Sequence, residues 1–381
     1  MPRVPEHFFV EHKSHELVVK EHPPAILDSS MIIIRMQASG VCGTDLAMLS
    51  GARSCRAQVL GHEGVGVVLS APKNSNVREG ERVIINPVDR NRPELVLGHS
   101  RDGVFRELFW LDSNEAVQGE HLVACPKECS IGSADLALAE PLASVLYSLE
   151  LLRRKRNATS LLIRGSGTVA ILAAKVWSTL NSCEAVLVSK SPTHAEWLRQ
   201  IICWPANVKV QTMEAIRSVI RSDRNEVFDS AILCCSRQDA PQGLNFLMDS
   251  IQEGATVDLM AGFPPEYTDD RLGGLELDQI RWNNICGVQS APPTRVVDGS
   301  TGKAVNLVGH RGTSEGHILQ AVELLSRGAI SLADLPHRKL TLQQLPEAVS
   351  DMLSPNRQNT KWIKAIVTFP EQTFGDAHGR G

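Results

Sequence analysis

SLLIRGSGTVA, Ser160 to Ala170, is the stretch that decides the fold. Its first half is an apolar run with strand character. From Thr168 the chain reads as a helix, TVAILAAKVWSTL, with Val169, Leu172, Val176 and Leu180 on one stripe. Between the two lies Gly165-Ser166-Gly167-Thr168-Val169-Ala170, the strand-to-helix turn of the G-x-G-x-x-G/A kind that holds a dinucleotide. Gly165 allows the tight turn, and Gly167 lets the backbone approach a pyrophosphate seated on the helix N-terminus. Ala170, small in the third place, permits close helix–strand packing. Such a motif is weak alone, so its surroundings carry the reading.

Downstream, the strand-like runs AVLVS, VKVQT, FDSAILCCS, ATVDLMAG and ICGVQS alternate with the helical PTHAEWLRQII, MEAIRSVIR and QGLNFLMDSI. With SLLIRG these make six strands separated by helices. That predicts an α/β domain, a doubly wound parallel sheet, over residues 151–290. Upstream, residues 1–150 differ in texture. Short strands such as MIIIRMQ, EGVGVVLSA, ERVIINP and GVFRELFWL, broken by turn residues, point to a compact or partly open β-barrel up to about residue 133. Ala134 to Leu152 reads as a helix apart from Pro141. Residues 291–381 begin with a Gly/Pro/Arg-rich stretch that reads as a solvated loop, within which Arg295, His310 and Arg311 are placed to meet substrate or a neighbouring subunit. The helix HILQAVELLSRG, a second helical segment near LQQLPEAVSDML, the strand-like KAIVTF and a polar, mobile tail follow.

The whole chain sets bounds. Of its 381 residues 43% are apolar and 22% charged, with a net charge of −4, a balance that suits a water-soluble globular protein. The densest basic run, Arg153-Arg154-Lys155-Arg156, is short and reads as a solvated helix end, so nucleic acid is not an expected partner. The polar N-terminal residues lack a signal-peptide core, and LALAEPLASVLYSLELL is broken by Glu140 and Pro141, so no membrane association is expected. Nine cysteines, scattered from Cys42 to Cys286, suggest free thiols in a reducing cytoplasm rather than a disulfide framework.

The end of the second strand of the parallel sheet bears on the cofactor. A carboxylate there would bind a ribose 2′-hydroxyl; here Ser189 and Lys190 stand instead. A hydroxyl and a cation suit a 2′-phosphate, which favours NADP over NAD, while the plain alternative is a polar strand end. Arg164, just before the first glycine, could reach a phosphate or pair on the surface.

Two turns in the β-rich region carry chemistry: Gly-Val-Cys42-Gly-Thr44-Asp45 and Gly61-His62-Glu63-Gly64. A thiolate, an imidazole and a carboxylate form a donor set that suits Zn²⁺. Glu140, in AEPLA, adds a carboxylate at the junction of the two domains, where a hydride acceptor and a metal-held alcohol must meet. One catalytic zinc, held by Cys42, His62, Glu63 and Glu140, is therefore expected.

With GVCGTD, GHEGVGVV, GERV, DGVFRE, AEPLA, GSGTVA and HILQAVELLSRG in order, the chain resembles the zinc-dependent medium-chain alcohol dehydrogenases, especially the polyol branch with sorbitol and threonine dehydrogenases. The resemblance implies a GroES-like β-barrel catalytic domain, a Rossmann cofactor domain, and a return of the chain to the catalytic domain after residue 291. It implies that Cys42 and His62 hold zinc throughout, while Glu63 and Glu140 share the remaining places with water. Thr44 would hydrogen-bond the substrate oxygen and pass its proton toward the nicotinamide ribose, and Asp45 would sit behind the ligands and orient His62. Ser166, Thr168 and Val169 would line the cofactor turn with Gly165 and Gly167. A homodimer or homotetramer is expected on the same ground.

The chain departs from that pattern in places. Asn86 to Val104 holds no cysteine, so the second, structural zinc of many relatives is not expected, and Cys125 and Cys129 read as flanking a plain turn. Ala47 stands where many relatives carry a proton-relaying histidine, so the proton needs another route. Three readings follow: a dehydrogenase of a polyol, sugar, cyclitol or amino alcohol; an NADPH-consuming carbonyl reductase; and a cofactor-binding protein without catalysis.

Overall fold

The computed structural model describes residues 1–154, 158–181, 183–222, 228–354 and 361–370. The expected polar tail and Lys155-Arg156 of the basic run lie outside these residues.

The sheet built from SLLIRG has seven strands. In spatial order they are Val208–Thr212, Glu184–Ser189, Ser160–Arg164, Phe228–Leu233, Ile251–Asp258, Ala304–Val308 and Thr294–Val297. The first six are parallel and the last, at the edge, runs antiparallel. The order of the chain reverses beside Ser160–Arg164, which opens the crevice where an open α/β sheet binds its ligands. This is the doubly wound Rossmann arrangement expected from the strand–helix alternation.

Two expectations within it need correction. ICGVQS is not the sixth parallel strand: Asn284–Ile285 and Val288–Gln289 pair with each other in a separate hairpin turned at Gly287. The sixth strand is Ala304–Val308, inside the stretch read as a solvated loop. Every residue of that strand is buried, and His310 just beyond it is 5% exposed with its ring 4.7 Å from that of Tyr147. The intervening glycines and prolines mask a five-residue apolar run too short to show periodicity. Leu180 also departs from its stripe. The helix Thr168–Asn181 is buried on nearly all sides through Trp177 because the helix Ala139–Arg153 covers the face away from the sheet, whereas Leu180 projects outward, 44% exposed.

The β-rich lobe holds a second seven-stranded sheet. Its path runs His337–Leu340, Lys364–Thr368, Met31–Gly40, Glu63–Ser70, Arg82–Ile85 and Leu122–Ala124, with Leu108–Asp112 also paired to Met31–Gly40. Register shifts between Ile33 and Ile34 and between Met36 and Ala38 bend the long strand, as bulges do. The return of the chain, in KAIVTF, lies directly beside Met31–Gly40. The junction is the helix Ala139–Arg153, where Pro141 falls in the first turn and so forfeits no intrahelical hydrogen bond. One core runs through it, from Ala38, Val65 and Ile84 of the lobe to Leu161, Ile163 and Trp177 of the parallel sheet. Each such aliphatic side chain contributes about 1.5–3 kcal/mol on full burial, which ties the two sheets together across the crevice.

Candidate active site

The site begins at a helix cap. Cys42 is the N-cap of the short helix Gly43–Leu49, and the Asp45 carboxylate accepts the backbone N–H of Cys42 at 2.8 Å. The other Asp45 oxygen accepts the N–H of Gly61 at 3.3 Å and lies 3.5 Å from His62 Nδ1. One carboxylate, 0% exposed, thus fixes the turn bearing the thiol and the turn bearing the imidazole. Gly61 has φ +89°, a left-handed conformation, and a Cβ there would run into the Phe105 ring.

These turns bring Cys42, His62 and Glu63 together, their ligand atoms all within 4.8 Å of one another. Among the described residues this is the one such group of three or more metal-donor side chains. Glu140 is not part of that set, but it is close enough to interact with His62, Glu63 and Asp45. Burial, opposed by His62 and reinforced by Glu63, pushes Glu140 up to about 7. Burial also disfavours a charge on His62, yet Asp45 and the Cys42 sulfur outweigh it and hold the imidazole well above its ordinary value. The Cys42 sulfur, the His62 imidazole and the Glu63 carboxylate offer S, N and O donors, a set that fits Zn²⁺. Thr44 Oγ1 lies 3.3 Å from His62 Nε2, beside the cluster.

Sequence reasoning missed Lys364. Its ammonium pairs directly with Glu63 Oε2 and donates to the carbonyl of Val41 at 3.1 Å, and both charged side chains are 1% exposed. Glu63 is therefore already held by a counter-charge delivered from the last described strand. A lysine inside an apolar strand, KAIVTF, was the available signal, because a central-strand lysine must have a buried partner. His99 was missed as well. Its ring lies edge-on to His62, centroids 4.7 Å apart, with Nδ1 3.4 Å from Arg53 Nη2. No spacing in the sequence marks it.

At the dinucleotide turn, a Cβ on Gly165 would sit 2.5 Å from the carbonyl oxygen of Cys234 on the neighbouring strand, so only glycine fits. Around Gly167 no other group lies within 4 Å of that position, which leaves room for a ligand. Ala170 is 1% exposed against the sheet. The Ser166 carbonyl oxygen accepts from His194 Nε2 at 3.3 Å, and Thr168 and Val169 open the helix. Ser189 is 1% exposed, and its hydroxyl is engaged by the Ser191 backbone. Lys190 is exposed and paired with Asp239 at 2.6 Å. Asp239, from the connection between the strand Phe228–Leu233 and the helix that follows it, is a carboxylate at this position that the local sequence did not reveal. Arg164, 2% exposed, lies inside the fold rather than on its surface. Cys125 and Cys129 flank a turn closed by Cys129 N–H on the carbonyl of Pro126.

Comparisons with known proteins agree with this geometry. Residues 28–121 match the alcohol dehydrogenase GroES-like domain, so the β-rich lobe is GroES-like. The chain is similar to D-xylulose reductase of Saccharomyces cerevisiae, 26% identical over 218 residues, a match that spans 49% of this chain and 59% of the yeast protein. A zinc-type alcohol dehydrogenase-like protein of Haemophilus influenzae is 23% identical over 93% of this chain and 96% of its own length. Among solved structures, an Escherichia coli protein described as a short chain alcohol dehydrogenase, complexed with NADH, superposes with a TM-score of 0.72 at 16% identity, over 96% of this chain and all of that one.

Proposed function

We propose that this chain is a zinc-dependent oxidoreductase of the medium-chain alcohol dehydrogenase family. It moves hydride between a nicotinamide cofactor and the hydroxyl or carbonyl of a small alcohol or ketone, in the polyol, sugar, cyclitol or amino-alcohol range. The observation that supports this reading is the Cys42–His62–Glu63 donor set in the GroES-like lobe. When bound, zinc supplies Lewis acidity toward the substrate oxygen, and the nicotinamide takes or gives the hydride.

The residues of the chain do the remaining tasks. Cys42 and His62 hold the metal, and Glu63 and Glu140 share the places left, directly or through water. Asp45 keeps the imidazole in one orientation. The Thr44 hydroxyl binds the substrate oxygen and carries its proton away, toward the nicotinamide ribose, with Ala47 requiring solvent to take the following step. Gly165, Ser166, Gly167, Thr168 and Val169 receive the pyrophosphate at the helix N-terminus.

Lys190 favours NADP(H), and with it the reductive direction as a second reading. A 2′-phosphate there takes the place that Asp239 now holds at the ammonium. The nine unpaired cysteines suit the reducing cytoplasm, and a homodimer or homotetramer is the expected assembly. Among the described residues no helix is long and apolar enough to cross a membrane.

The deciding experiment measures zinc in the purified protein together with cofactor-dependent oxidation of a polyol panel. About one zinc per chain and polyol-dependent reduction of NADP⁺ or NAD⁺ support the proposal. Metal-free protein that stays inactive after zinc is restored would leave a dinucleotide-binding protein without catalysis.

A further inference from the structure

Beside the donor set the charge has the opposite sign. Arg53 comes from the loop after the Cys42 helix, Arg237 from the loop after Phe228–Leu233, Arg281 from a short turn of helix, and Arg311 from the loop after Ala304–Val308. The nearest carboxylate is Asp278, 3.9 Å from Arg281 Nη1 and 4.0 Å from Arg237 Nη2, while among the described residues Arg53 and Arg311 form no ion pair within 4.0 Å. By contrast, Arg154 pairs with Glu150 at 2.5 Å and Arg271 with Asp249 at 2.8 Å. Arg237 and Arg281 flank Gly262, their terminal nitrogens 2.8 and 3.2 Å from the place a Cβ would occupy. Arg311 lies over the Trp282 ring at 4.2 Å, a stack that fixes its plane.

The cluster is in electrostatic conflict as it stands. Burial, followed by repulsion from Arg281 and Arg237, weakens the hold of Arg53 on its proton, and burial with repulsion from Arg53 does the same to Arg311. Arg281 Nε and His99 Nε2 are buried with no hydrogen-bond partner. Four guanidiniums face Asp278 and, beyond ion-pair distance, Asp258 and Glu94, which leaves an excess of positive charge, and in a shielded cleft such an excess is unfavourable unless an anion occupies it. Guanidinium forks match the oxygens of a phosphate. Only the His99 ring stands between Arg53 and His62, so an anion bound here sits beside the donor set.

We propose that Arg53, Arg237, Arg281 and Arg311 form a binding site for a phosphate monoester carried by the substrate, so that the alcohol oxidised at the Cys42–His62 cluster is a phosphorylated one. A dianion offsets the excess better than a single carboxylate does. The inference rests on the oxidoreductase reading for its substrate, but the anion site itself does not depend on bound zinc. The cofactor also carries phosphates, and the test separates the two sources.

Isothermal titration with inorganic phosphate is carried out on the full chain, free and saturated with NADP⁺, for the unmodified protein and for Arg53→Gln and Arg311→Gln. Phosphate is expected to bind with NADP⁺ already in place, and each substitution is expected to weaken it about tenfold, a single charge-assisted hydrogen bond's worth, with NADP⁺ affinity unchanged. Loss of phosphate binding on adding NADP⁺, with weaker NADP⁺ binding in Arg53→Gln, would assign the arginines to the cofactor and overturn the proposal. Phosphate binding that is absent, or indifferent to both substitutions, would overturn it as well. Sorbitol 6-phosphate against sorbitol gives the kinetic arm: a lower KM for the phosphate ester, abolished in Arg53→Gln, is expected, and equal KM values count against the site. Phosphate bound as expected by a protein that oxidises neither alcohol would sink the oxidoreductase reading and leave the anion site standing.

Discussion

Two charged regions lie side by side, one around Cys42 and His62 and one around the partly buried arginines, and they are balanced in opposite ways. Around Cys42, His62 and Glu63 the negative charge is matched inside the chain: Asp45 is saturated by two backbone N–H groups and faces His62, and Glu63 is held by Lys364. Around Arg53, Arg237, Arg281 and Arg311 the positive charge is met by Asp278 at 3.9–4.0 Å and, beyond ion-pair distance, by Asp258 and Glu94. The difference separates a region whose geometry is held by its own residues from one left open for an incoming group. Buried charges that are paired stabilise position, and buried charges that are not paired store a demand for a ligand.

The largest expected effect comes from dismantling the first region. Cys42→Ala removes the sulfur donor and should abolish zinc retention and lower turnover on the order of 10³-fold or more, since Lewis-acid stabilisation of this kind is worth several kcal/mol. Elemental analysis of the purified variant checks it; retained zinc would show that Cys42 is not a ligand. Thr44→Ala should follow, with kcat lowered by about 10²–10⁴ and NADP⁺ affinity unchanged, if the hydroxyl moves the proton. Unchanged kcat would assign the proton route elsewhere.

Replacing one buried cation in each region sharpens the contrast most directly. Lys364→Met strands Glu63 and should cost about 3–5 kcal/mol in denaturant unfolding, with part of the loss recovered in Lys364→Met/Glu63→Gln. Arg53→Met, the same kind of change in the other region, relieves repulsion and should shift stability in anion-free buffer by less than about 1 kcal/mol, in the stabilising direction. Equal destabilisation by both would erase the distinction. At the rim, Lys190→Ala should weaken NADP⁺ about tenfold and leave NAD⁺ unchanged, as loss of one charge-assisted contact predicts. Equal change in both affinities would remove Lys190 from cofactor choice.

The two regions also differ in how far the sequence discloses them. Cys42, Thr44, Asp45, His62 and Glu63 occupy two short turns whose residue types declare metal chemistry, and the glycine turn at Gly165 declares the parallel sheet. Local order sufficed because each turn fixes its own side chains. The arginine wall is assembled from four segments between Arg53 and Arg311, so no window of sequence contains it, although Arg311 was already marked as a residue that could meet substrate. The same cause hid Lys364 and Asp239, each of which meets its partner only through strand pairing or a loop crossing. The sixth strand was lost for another reason. AVNLV is short and fully buried, and short apolar runs amid glycines carry no period to distinguish strand from loop.

Glu63 and Lys364 are separated by 301 residues along the chain. On a ribosome the thiol, imidazole and carboxylate therefore emerge long before the ammonium that balances them. Until the strand Lys364–Thr368 is laid beside Met31–Gly40, a growing chain carries a donor cluster whose negative charge is uncompensated. A chain stopped short of that strand would have the ligands and the dinucleotide turn, yet lack the counter-ion that sets Glu63 in place. The arrival of a single lysine thus completes the charge balance around Glu63.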